Sequence, residues 1–304
     1  MLKFLVSVLI VFISQVSFAI DIPKGFTKEM VQIPGVKLNV YKGGSGKPLV
    51  LLHGYGESAL MWHDAMEKFA KNYTVIAPDL RGGGLSEVTK DGYTKVQMAK
   101  DIKALLDHYN ISKAYIVGHD IGLMVAYAFA AQYPDATEKL VLMDAFIPGV
   151  EPADAIYNDP NIWHFRVYGP FAEKLVKGRE KIYLDALWTS FSANPKSFPD
   201  AKKNFFTKEY AAPGHMRAGF EWFHAFPQDA KDNQEFSKKK LAMPVLSIGG
   251  DKSMGNKLAQ STKIVAPQAQ TIILPDTGHW LLEENPKSTL QAMDDFLKDK
   301  TTMQ

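Results

Sequence analysis

The sequence predicts an α/β fold, a mostly parallel sheet with helices on both faces, interrupted by a helical insertion. Three observations carry this. After residue 30, short apolar runs alternate with amphipathic helical stretches. The apolar runs are continuous rather than alternating, as in strands covered on both faces. From about Pro148 to Lys240 the rhythm breaks into aromatic-rich helical segments with no convincing buried strand.

Taken in order, residues 36–41 and 48–52 read as strands, the second ending at His53-Gly54. Residues 61–71 have helical periodicity, and 73–78 form the next strand, ending at Asp79. Helix 96–108, strand 114–117, helix 121–132 and strand 140–143 follow. After the insertion come strand 245–248, helix 255–265, strand 271–274 and a closing helix from about 286 to 298. A chain of 304 residues fits one large domain or a core with an insertion. The expected division is a core over 20–147 and 241–304 with a cap over 148–240.

Residues 1–19 stand apart. One Lys at position 3 precedes an apolar stretch over 4–16, and Ser17-Phe18-Ala19 places small residues at the −3 and −1 positions of a cleavage site. The run is shorter than the roughly 20 residues a membrane span needs. A cleaved signal peptide is expected, with the mature chain secreted or periplasmic and no stable membrane insertion after cleavage. The composition is 46% hydrophobic and 22% charged, which is globular, and the net charge is only +2 at pH 7. No Lys/Arg block exceeds Lys238-Lys239-Lys240, which argues against a nucleic-acid footprint. There are no cysteines, so disulfide scaffolds, thiolate metal sites and a cysteine nucleophile are excluded.

The run Gly118-His119-Asp120-Ile121-Gly122 joins a strand to a helix in the small-x-nucleophile-x-small pattern of a nucleophile elbow. The elbow holds Asp120 where a serine esterase holds serine. A carboxylate is a poor acyl-transfer nucleophile but a competent one at saturated carbon, where it forms an alkyl ester. His279, just after the last strand, has the place in chain order of the general base. Two acids end strands on the same rim and could orient it, Asp144 and Asp251; spacing alone does not choose between them. The backbone N–H groups of Tyr55 and Ile121 are expected to form the oxyanion hole. Asp79 and Arg81 read as loop architecture. No metal or cofactor is implied, and the expected partner is a small-molecule substrate.

With these parts in place, the chain resembles α/β-hydrolases of the epoxide hydrolase and dehalogenase branch, secreted bacterial epoxide hydrolases among them. The resemblance rests on His53-Gly54-Tyr55-Gly56, Val75-Ile76-Ala77-Pro78-Asp79-Leu80, His119-Asp120-Ile121-Gly122, Ala145-Phe146-Ile147-Pro148, Trp163-His164-Phe165, Phe220-Glu221-Trp222-Phe223 and Gly278-His279-Trp280-Leu281. It implies an exported hydrolase that opens small epoxides to diols through an ester on Asp120, cleaved by water that His279 activates. It favours Asp144 as the relay acid, at a position that holds glutamate in the epoxide hydrolases and aspartate in fluoroacetate dehalogenases. It also implies a His/Tyr pair in the cap to assist the leaving oxygen. His164 matches the histidine, but the tyrosine position holds Phe223, leaving Trp222, His224, Tyr168 and Tyr210 as stand-ins. Trp163, Trp222 and Phe223 are the expected substrate-binding residues.

The alternatives are a haloalkane or haloacetate dehalogenase, with Trp163, Trp222 and His164 cradling halide, and a catalytically weak binding protein on the same fold. The dehalogenase cradle would also lack a tryptophan after the cap histidine, where Phe165 stands. The resemblance further suggests a homodimer. N-terminal sequencing of protein from its native host should read from near Ile20; an intact Met1 on mature soluble protein would contradict export.

Overall fold

The structure, a computed structural model, describes residues 20–298. The expected signal peptide over 1–19 lies outside them. Eight strands form one sheet: β1 (Phe26–Ile33), β2 (Val36–Gly44), β3 (Lys47–Leu52), β4 (Tyr73–Pro78), β5 (Ala114–His119), β6 (Thr137–Met143), β7 (Val245–Gly250) and β8 (Gln270–Leu274). Their spatial order is β1-β2-β4-β3-β5-β6-β7-β8. β1 pairs antiparallel with β2 and β2 antiparallel with β4; every pairing from β4 through β3 to β8 is parallel.

The central strands are buried because helices cover them. The helix Ile121–Gln132 packs on β3, β5 and β6, and Lys95–His108 packs against that helix and β1. On the far side of the sheet order, Gly255–Val265 and Pro286–Lys298 pack on β7 and β8. β5 is buried at all six positions, which explains its continuous apolar run. β1 escapes sequence reading for the opposite reason. Only Val31 and Ile33 of its eight residues are buried, so it carries no clear period of two. It forms by pairing with β2 from Val36 to Gly43 rather than by its own pattern. The expected helix over 61–71 divides into a 3-10 turn, Ala59–Trp62, and a shorter helix, His63–Phe69.

Between β6 and β7 the chain leaves the sheet and forms a helical cap. Its attachment to the core is polar as well as apolar. Lys95, at the start of its helix, reaches up with its ammonium to pair with Asp229 of the cap at 2.9 Å and to donate to the Trp222 carbonyl. Asp229 also accepts the Lys95 backbone N–H at 2.8 Å. Both side chains are buried. Trp222 Nε1 donates to the Arg81 carbonyl at 3.1 Å, and Asn233 donates to the Pro148 carbonyl at 3.0 Å.

Removing one partner of a buried pair leaves an uncompensated charge. Lys95→Met should therefore cost about 3–5 kcal/mol in urea unfolding. Lys95→Met combined with Asp229→Leu should recover most of that loss. Equal destabilisation by the single and double variants would show that packing, not charge, joins cap to core at this point.

Candidate active site

β5 delivers Asp120 to the carboxyl edge of the sheet through a turn that only small residues permit. A Cβ on Gly118 would lie 2.1 Å from the Gly122 carbonyl oxygen, and one on Gly122 would lie 2.2 Å from that of Leu52. Asp120 takes φ 53 and ψ −121, outside the regions side chains prefer. Its N–H donates to the Met143 carbonyl at 3.1 Å, pinning the elbow to the end of β6.

Around this elbow the sheet's loops converge. Tyr55 donates its backbone N–H to Asp120 Oδ1 at 2.7 Å, while Oδ2 faces His279 Nε2 at 3.5 Å. The other ring nitrogen, Nδ1, lies 2.8 Å from Asp144 Oδ2. Asp144 is wholly buried, and its Oδ1 accepts from the backbone N–H groups of Gly250 and Met254 at 2.8 and 3.3 Å. Asp251, the other candidate, does not reach His279. It pairs with Lys252 at 3.0 Å and accepts the Thr277 N–H at 3.1 Å, bracing the turn that precedes the histidine. Ile121 opens the helix after Asp120, so its N–H has no acceptor within that helix.

The charges follow from this geometry. Burial alone would raise the Asp120 carboxyl, but the hydrogen bond and charge of His279, with help from His119 and the Tyr55 N–H, hold it well below the usual carboxylate range. Burial alone would depress His279, but hydrogen bonds and charge from Asp120 and Asp144 outweigh it and push the imidazole up to about 10. Behind the ring lies a second layer. His119 Nε2 is 2.9 Å from the His279 carbonyl, which can only accept, so Nε2 carries the proton. Its Nδ1 lies 3.8 Å from Glu57, a buried carboxyl. Burial lowers His119 to about 4, so its ring is uncharged near neutrality, and burial raises Glu57 well above its ordinary value.

From the cap, His164 enters this space on the short helical turn Trp163–Arg166. It is buried, its Nδ1 has no hydrogen-bond partner, and burial depresses it to about 3, so the ring is neutral. A small cavity of about 40 Å³ lies between Asp120, His279, His164, Phe165 and Phe191. Its lining contains no Lys or Arg.

None of the expected substrate-binding residues lines this cavity. Trp222 is buried with its indole N–H committed to Arg81, and Trp163 is 38% exposed; neither lines the cavity. Phe223 backs His164 instead, its ring 5.3 Å from the imidazole and 4.6 Å from that of Tyr55. The alternative donors are also engaged away from it. The Tyr210 hydroxyl accepts the Gly56 N–H, Tyr168 stacks on His224, and His224 pairs with Glu221. Sequence reading missed Phe191, Ser253 and Met254 in the lining because they come from loops without a motif.

It also missed the role of Glu284. One oxygen of this carboxylate accepts from Gly278, Ala193 and Asn194 N–H at 3.2, 2.7 and 3.1 Å, and the other from Trp280 N–H at 3.3 Å. The His279 N–H meanwhile donates to the Phe191 carbonyl at 2.8 Å. The turn carrying His279 is thus joined to cap residues 191–194.

The chain belongs to the α/β-hydrolase fold family, whose match spans residues 47–286, and within it to the epoxide hydrolase and dehalogenase branch. It is a hydrolase. It is 31% identical over 274 residues to the soluble epoxide hydrolase of Corynebacterium sp. (strain C12), covering 88% of this chain and 95% of that one. It is 24% identical over 299 residues to the fluoroacetate dehalogenase of a Burkholderia species, covering 91% and 95%. Among solved structures it superposes on the Cif epoxide hydrolase of Acinetobacter nosocomialis with a TM-score of 0.83 and 28% identity, over 90% of each chain.

Because His279 binds its proton more tightly folded than unfolded, that proton stabilises the fold fully below about pH 6.5. The contribution is lost as pH rises through about 10. Asp144→Asn removes one of the two carboxylates. An NMR titration of the His279 ring should then show a lower midpoint, and the alkaline loss of stability should begin earlier. An unchanged midpoint would mean that Asp144 does not hold the proton.

Proposed function

We propose that this hydrolase is exported and opens small, uncharged epoxides to vicinal diols through an alkyl ester on Asp120. One observation carries the reading: the two oxygens of Asp120 have different surroundings. Oδ1 is occupied by the Tyr55 N–H, while Oδ2 faces only the base at 3.5 Å. Such a carboxylate, kept ionised, is arranged for attack through Oδ2 on a saturated carbon.

The proton inventory closes around His279. In the resting site its ring is protonated between two carboxylates. Attack by Oδ2 forms a C–O bond and breaks the epoxide C–O bond, leaving an alkoxide that the neutral His164 can steady by hydrogen bonding. Esterification removes the Asp120 charge, so the imidazolium loses much of its stabilisation and gives its proton to the alkoxide. His279 is then neutral and can take a proton from water as the hydroxide attacks the ester carbonyl. The Tyr55 N–H, which already donates to Oδ1, would stabilise the oxyanion of that step together with the Ile121 N–H, which has no acceptor within its helix. Collapse releases the diol and restores ionised Asp120 beside protonated His279. Supplying the proton from His279 compensates for Phe223 at the expected tyrosine position.

The halide-displacing alternative loses support from the same geometry. Of its three expected N–H donors, only His164 borders the cavity. The absence of Lys and Arg from the lining also leaves a haloacid's carboxylate without a counter-charge.

Asp144→Asn should slow ester hydrolysis more than ester formation. Intact-mass spectrometry with styrene oxide should then show one substrate added to the peptide containing Asp120. Normal turnover by Asp144→Asn, or no adduct in any variant, would overturn the mechanism. His164→Ala should lower kcat/KM on styrene oxide by about 10²-fold, the usual worth of one oxyanion donor, whereas Phe223→Tyr should raise it. Release of halide from a bromoalkane or fluoroacetate, with every epoxide untouched, would favour the other branch. In single turnovers, ester formation should slow as pH rises through about 10 and His279 loses its proton.

A further inference from the structure

The reaction cavity is too small for more than a few atoms beyond the reacting centre, at about 40 Å³. A second cavity of about 180 Å³ lies where the cap leaves and rejoins the core. Its lining comes from three places: Phe146 and Pro148 after β6, Ala153 and Tyr157 on the first cap helix, and Phe226 and Ala230 on the last. A cavity of roughly 150 Å³ with apolar walls accommodates a benzene ring. Asp154 is the only charged residue in this lining, and it is exposed.

The two spaces are neighbours. Phe146 lines both of them. Phe165, a wall of the reaction cavity, stacks on Tyr157 at 6.3 Å and meets Phe226 edge-on at 5.1 Å, and both of those residues line the second cavity. The rings of Phe146 and Phe165 are 5.5 Å apart. The boundary is therefore made of aromatic side chains, which can be displaced by rotation about their own bonds without moving the sheet.

We propose that this second cavity is a subsite for the apolar substituent of the substrate, a phenyl ring or a short unbranched alkyl chain, reached past Phe146. The epoxide ring would stay at Asp120 while its substituent displaces Phe146 and enters the space bordered by Tyr157 and Phe226. The subsite disfavours anionic substituents, because its lining is apolar apart from the carboxylate of Asp154 and offers a negative charge no partner. This inference rests on the proposed reaction for the identity of the reacting group, but not for the cavity's preference for an apolar ring.

The test pairs turnover with binding of an unreactive probe. Wild type should show kcat/KM at least about tenfold higher for styrene oxide than for propylene oxide, the ratio that about 1.4 kcal/mol of differential binding gives. Ala153→Leu, which fills the second cavity from the first cap helix, should remove that preference and leave propylene oxide unaffected. Ala230→Phe fills it from the opposite side and serves if Ala153→Leu does not fold. Toluene should raise the Tm of wild type but not that of the filled variants. A preference for styrene oxide that survives both substitutions, or a toluene shift equal in all three proteins, would overturn the subsite. If no epoxide is turned over but the toluene shift is present in wild type and lost on filling, the subsite is supported while the epoxide reading falls.

Discussion

Asp120 is held at a positive φ, a conformation that costs a residue with a side chain about 1–3 kcal/mol. The surrounding structure is arranged to impose it. The close approach of Gly118 to Gly122, and of Gly122 to the end of β3, brings the helix start down onto the strands. The bond from Asp120 N–H to the Met143 carbonyl fixes the turn against β6. Relaxing the backbone would carry the carboxylate away from the Tyr55 N–H and from His279 together. The parallel strands, whose carboxyl ends present Asp120, Asp144 and the loop after β3 on one edge, are what make such a turn affordable.

The same edge solves an electrostatic problem. Two carboxylates flank one imidazole in a region with almost no water-exposed side chain and no Lys or Arg in the lining. With both acids ionised and the ring protonated, the group carries one net negative charge. Burial keeps His119 neutral nearby and disfavours a charge on Glu57. The affinity of His279 for a proton therefore depends on the charge of Asp120 as well as on that of Asp144. A covalent event at one carboxylate can thereby change the acid–base character of a ring 3.5 Å away.

The parts legible in the sequence are those fixed by local geometry. The elbow could be read because a sharp strand-to-helix turn demands small residues on either side of its apex. β4 and the helix Ile121–Gln132 could be read to the residue because continuous burial leaves a continuous apolar run. β1 could not, since its stability comes from pairing with β2 and most of its side chains face solvent. Which acid contacts His279 was open because Asp144 and Asp251 both end strands; what separates them is which strand neighbours β5, a property of sheet order rather than of spacing. That Trp222 and Trp163 do not line the cavity was not legible, because an aromatic motif fixes the segment but not which way its rings turn. Glu284 gave no sign of its link to the cap, because its two cap partners lie about ninety positions away.

Glu284 joins two bodies that must separate if a site beneath a cap is to exchange its contents with solvent. Cap residues 193 and 194 hang on the same carboxylate as the turn bearing His279, and the Phe191 carbonyl takes the histidine's own N–H. Lifting this part of the cap must either break those bonds or drag His279 away from Asp144. The linkage acts as an interlock: on this side, the seat of His279 against Asp144 and the position of cap residues 191–194 are fixed by the same bonds.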